Sequence, residues 1–103
     1  MIIDTHCHID LYPNPRKVLQ DSVIANITVL AMTNLPSHFE MGYPYFQSLK
    51  KIRLALGMHP LMADLHAKEF DLFLKNISRT SYIGEIGLDF SKEGISTKDI
   101  QIE

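Results

Sequence analysis

Four short runs of branched and aromatic apolar residues recur along the chain, at residues 2–4, 27–31, 52–56 and 82–86. Their starts lie about 25 to 30 residues apart, the length of one strand, one helix and their loops, so the spacing predicts successive βα units with parallel strands. Between the runs, Asn14 followed by Pro15 reads as an N-cap with proline at the first helical position, opening a helix through Val18, Leu19 and Val23. Ser37 and Glu40 have the spacing of a capping box, with Pro44 expected to interrupt the helix that follows. Phe70, Phe73, Leu74 and Ile77 fall at i, i+3, i+4 and i+7 and predict the clearest amphipathic helix. Ser96 with Asp99 reads as one more capping box, opening a helix with less than two turns of sequence left.

Four strands with three helices and a fraction would leave a parallel sheet edge uncovered, and parallel sheets are nearly always protected. The expectation is therefore a single α/β domain over residues 1–103: about four βα units, truncated from a larger barrel or completed by another chain. No internal repeat, low-complexity segment or linker interrupts it. No run approaches the roughly 18 apolar residues of a membrane span, and the N-terminus lacks a basic, signal-like region, so the expected compartment is the cytoplasm. One cysteine, Cys7, cannot form an intrachain disulfide. A net charge of −2 predicts no broad attraction to nucleic acid, so such a substrate would be gripped by a metal or a few basic groups.

Chemistry concentrates in three places. In DTHCHID, side chains alternate along the first strand, so Asp4, His6 and His8 share a face and Cys7 points the other way, toward a covering helix, as a small buried hydrophobe. Two imidazoles so placed can meet one divalent cation at about 2.0–2.1 Å, although an isolated H-x-H is also found as a plain surface pair. In SYIGEIGLDF, Glu85 sits in an apolar strand between Gly84 and Gly87. A carboxylate there needs a cation, a proton or a hydrogen-bond network, unless it lies solvated at the rim. In IRLALGMHP, His59 shares a face with the small residues Gly57 and Ala55, and Pro60 ends the strand. All three features fall at strand C-terminal ends, where parallel βα architectures build their active sites.

DTHCHID, ALGMHP and GEIGLD, in this order and spacing, resemble the N-terminal part of the TatD-type metal-dependent hydrolases, the TatD-related deoxyribonucleases. The resemblance implies the first half of a TIM (β/α)8 barrel and a DNA phosphodiesterase dependent on one or two divalent ions, Zn, Mg or Mn. It makes His6 and His8 ligands of the first metal and Glu85 a ligand or bridge of the pair. His59 would contact substrate phosphate in the catalytic site, and Asp10 and Asp89 would have supporting roles around it. Relatives draw two further histidines and an aspartate from the second half of the barrel, so the mechanism is expected of the complete protein.

His38 and His66 are expected to have no functional role, and Phe39, Tyr43, Tyr45 and Phe46 to pack the second βα unit rather than stack on bases. Lys50, Lys51 and Arg53 read as a solvated strand entrance. Two alternatives carry different expectations: a non-catalytic half-barrel assembly module, including one in a bacterial defence system, and an amidohydrolase-like enzyme with another substrate. GEIGLD argues against the latter.

Overall fold

The computed structural model describes residues 1–103 and contains the anticipated parallel βα units, with one rearrangement in the middle. Five strands, β1 (Ile3–Cys7), β2 (Thr28–Ala31), β3 (Ile52–Leu54), β4 (Leu56–Met58) and β5 (Ile83–Ile86), alternate with helices α1 (Pro15–Ile24), α2 (Pro36–Phe46), α3 (His66–Asn76) and α4 (Lys98–Ile102). Every strand pairing is parallel, β1 with β2, β2 with β3, and β4 with β5. This is an α/β arrangement of the kind found in part of a TIM-barrel-like hydrolase, and its sheets do not close into a barrel. No helix is long and apolar enough to cross a membrane.

The third apolar run forms two strands rather than one. The amide of Ala55 still donates to Ala31 O, while that of Leu56 donates to Tyr82 O, so the chain changes pairing partner within one residue. The core sits between the strands and α2: Phe39, Ile52 and Leu56 are fully buried, with Val29, Ala31, Leu54 and Phe46 around them. Phe39 and Phe46 thus fill the second unit as expected, and Tyr43 packs beside them. Tyr45 is half exposed and carries the guanidinium of Arg16 over its ring at 5.2 Å.

Local signals hold well at α1. Asn14 Oδ1 accepts the Lys17 amide at 3.1 Å with Pro15 first in the helix, satisfying one of the amides left free at a helix start. The two expected capping boxes do not form. Helix α2 begins two residues earlier than Ser37 would set it, behind Leu35 and with Pro36 first. Its Ser37 amide is bound by Glu69 Oε2, from α3, at 2.8 Å. A carboxylate at this place faces the positive end of α2, which explains how Glu69 is accommodated while buried. Glu40 turns outward to Lys75 Nζ at 2.6 Å. Pro44 does not break the helix, which continues to Phe46. The proline removes one amide near the C-terminal end, where little ladder remains to be lost. At the far end Thr97, not Ser96, precedes α4, after a 3-10 turn over Ile95–Thr97.

The stripe on α3 is covered only in part. Phe73 packs on the core, whereas Phe70, Leu74 and Ile77 are about half exposed. Ile3 on the outer strand β1 and Ile83 and Ile86 on the outer strand β5 are similarly open. Periodicity predicts which face is apolar, but what covers that face depends on neighbouring layers.

Candidate metal centre

Strand β1 ends at Cys7, and His8 leads into a 3-10 turn over Ile9–Leu11. Ile9 is buried in the core and anchors this turn, holding both histidines at the strand's C-terminal end. Cys7 packs against the core, as its alternation with His6 and His8 requires. Its burial, reinforced by the charge of Asp4, pushes the thiol above its ordinary pKa. Asp4 itself accepts the His6 amide at 3.0 Å and braces the strand.

Glu85 arrives from β5, at the same strand end. Its Oε2 lies 3.0 Å from His8 Nε2 and 3.2 Å from His6 Nε2, and the two imidazole nitrogens are 3.2 Å apart. Protons cannot satisfy this triangle. An imidazole Nε2 is either a donor or an acceptor, so at most two of the three sides can be hydrogen bonds. A cation satisfies all three at once. With sides of 3.0, 3.2 and 3.2 Å, a single point lies about 2.0–2.1 Å from every corner, the span of zinc–nitrogen and zinc–carboxylate bonds. The corners subtend about 100° there, between octahedral and tetrahedral values. His6, His8 and Glu85 are therefore a set that could coordinate a divalent ion. His8 Nδ1 is buried without a partner, so nothing beyond the ring holds its tautomer. A cleft of about 370 Å³, lined by His6 and His8 with Asp4, Tyr12 and Pro13, opens beside the pair.

His59 stands next to this set and has a different character. Its Nδ1 accepts the Leu61 amide at 3.1 Å, which in the neutral ring places the proton on Nε2. That nitrogen faces Glu85 Oε1 at 3.5 Å, so His59 presents a donor to the carboxylate oxygen that the other two histidines leave free. The His59 backbone is fixed at both ends, its amide donating to Asn34 O at 2.8 Å and its carbonyl accepting His66 Nε2 at 2.9 Å. His66 thus holds the histidine loop, a part not visible in the sequence because the contact depends on the turn over Pro60–Leu65.

The two aspartates stand apart from the triangle. Asp10 Oδ2 lies 3.9 Å from His38 Nδ1, on the side of α2. Asp89 organises the loop after β5, where its Oδ1 accepts the Ser91 amide at 2.8 Å. Its own amide and carbonyl are both bound by the Gln101 side chain. The Ser91 hydroxyl and amide hold the Asp89 carboxyl below the usual carboxylate range.

Gly57 and Gly94 are sterically required, because a Cβ on either would run into backbone. A Cβ on Gly57 would lie 1.6 Å from Thr33 O and 2.8 Å from the Glu85 nitrogen, and one on Gly94 2.0 Å from Asp89 O, whereas one on Gly84 would meet only the flexible Met32 side chain. The backbones of β4, β5 and the end of β2 therefore meet more closely than side chains allow.

Parallel βα units that bring two histidines and a glutamate together at their C-terminal strand ends define an α/β protein of the barrel-hydrolase type with a metal-capable centre. The family model of the TatD related DNases matches residues 3–103, and the chain belongs to that family. No curated protein matches it at a significant level.

Proposed function

We propose that this chain forms the N-terminal half of a TatD-type barrel, residues 1–103, whose complete form hydrolyses DNA phosphodiester bonds with one or two divalent ions. One observation carries the reading: His8 and Glu85, 77 positions apart in sequence, meet at 3.0 Å with His6 beside them. In this reading His6 and His8 are ligands of the first metal and Glu85 is a ligand or bridge. The bound ion, Zn, Mg or Mn, supplies Lewis-acid charge to a phosphodiester oxygen and acidity to a water molecule. His59, its proton held on Nε2, donates a hydrogen bond to a phosphate oxygen or to Glu85 Oε1. Asp89 keeps the adjoining loop in shape, and Asp10 braces the other side of the rim.

The open edges of β1 and β5 and the exposed face of α3 are read as surfaces for further βα units, in the same polypeptide or a second chain. Those same surfaces favour the second reading, a non-catalytic half-barrel assembly module, including one in a bacterial defence system. A folded, metal-poor oligomer without nuclease activity would establish that alternative.

The test is metal-dependent cleavage of DNA by the complete protein and by its Glu85→Ala, His6→Ala and His8→Ala variants. The proposal expects each variant to keep its circular-dichroism spectrum and lose hydrolysis by about 100-fold or more, as loss of a metal ligand entails. Undiminished activity in Glu85→Ala sinks it.

A further inference from the structure

The two sheets meet at a seam where ordinary strand pairing stops. The β2–β3 ladder ends at Ala31 and Leu54, and the β4–β5 ladder starts at Leu56 and Ile83. One residue just past the end of β2, Thr33, spans the gap. It is 1% exposed. Its Oγ1 donates to Ala55 O at 2.9 Å and accepts the Gly57 amide at 3.0 Å, replacing the ladder bonds that β2 no longer provides. Its backbone reaches the other strand: Thr33 O accepts the Glu85 amide at 2.9 Å, and its own amide donates to Gly84 O at 3.2 Å.

We propose that Thr33 is a positioning residue for the metal centre, setting the separation of the strand that delivers His59 from the strand that delivers Glu85. This rests on the metal-centre reading above. Thr33 bonds none of the ligand atoms; its partners are Ala55, Gly57, Gly84 and Glu85, so its effect passes through Gly57 and Glu85. The hydroxyl is essential because it is both donor and acceptor in a dry site, so that one atom fixes two backbone groups of β3–β4 while the same residue's carbonyl fixes β5. The absence of a Cβ at Gly57 completes the device, since any larger residue there would displace the Thr33 carbonyl. Supports of this kind, one step removed from the metal, typically govern affinity by 10- to 100-fold.

The test compares wild type, Thr33→Val, which keeps the shape and removes the hydroxyl, and Thr33→Ser, which keeps the hydroxyl. Ile52→Val, a core truncation on β3, controls for lost stability alone. Zinc affinity is read by competition with a chromophoric chelator, and cobalt(II) reports ligand geometry through its visible spectrum. Expected are a zinc Kd about tenfold or more higher in Thr33→Val with an altered cobalt spectrum, and wild-type behaviour in Thr33→Ser and Ile52→Val. Wild-type zinc affinity in Thr33→Val overturns this inference and leaves the metal-centre reading standing; no zinc binding by wild type removes both. Should Thr33→Val not fold, Thr33→Ser decides. Zinc affinity lost while its Gly57 amide stays protected from hydrogen exchange would show that the hydroxyl is not what positions the site, and retained affinity with a protected amide supports the proposal.

Discussion

Gly57→Ala tests the closeness of the strands around the site. The new Cβ would stand 1.6 Å from Thr33 O, and real Cβ contacts stay beyond 3.0 Å, so the two backbones must part by about 1.4 Å. A shift of that size stretches the Gly57 amide bond to Thr33 Oγ1, now 3.0 Å, and the Glu85 amide bond to Thr33 O, now 2.9 Å, past hydrogen-bonding range. Two buried bonds at about 1 kcal/mol each, with an overpacking cost of about 1–3 kcal/mol, give a destabilisation of about 3–5 kcal/mol. For a domain of this size that lowers Tm by about 15–30 °C. Thermal unfolding followed by circular dichroism measures it, and zinc titration below the transition reads the accompanying displacement of Glu85. A Gly57→Ala protein melting within about 5 °C of wild type, with unchanged zinc affinity, would refute the close-approach argument.

Other outcomes follow from single contacts. Asn14→Ala removes the side-chain cap of α1 and should cost about 1 kcal/mol in chemical denaturation, whereas an unchanged midpoint would deny the cap its role. Cys7, partly buried with its thiol pKa raised, should alkylate with iodoacetamide more slowly than the same cysteine in denaturant; equal rates would contradict that environment. Asp89 has a carboxyl pKa below its ordinary 3.8, so the stability of its loop contact is present at neutral pH and is lost as the pH falls through that lowered value. The Ser91 amide resonance should titrate with a midpoint below pH 3.8, and a midpoint above that value would reverse the sign.

Much of the architecture was legible in the chain because its signals are local. A strand, a helix and two loops occupy a nearly constant length, so the recurrence of apolar runs announces parallel βα units. Asn14–Pro15 caps α1 from within its own first turn, and alternation alone puts His6 and His8 together and Cys7 behind them. Gly57, two residues before His59, likewise marks close backbone approach before any partner is known, whereas of the glycines flanking Glu85, Gly84 meets a side chain and Gly87 open space.

What only the tertiary structure decided is the choice among partners distant in sequence. Ser37 and Glu40 have the spacing of a capping box, yet the Ser37 amide goes to Glu69, because α3 lies close enough to bring a carboxyl oxygen to the start of α2. The run at residues 52–56 reads as one strand, yet it divides where β2 ends and Thr33 takes over its hydrogen bonds. The proton on His59 is likewise placed by the Leu61 amide across a turn, and the His–His–Glu triangle exists only once β5 lies beside β4. Local preferences are set within a few residues and survive in the sequence. Pairings across the fold depend on which buried polar groups remain unsatisfied after packing, and that is settled in three dimensions.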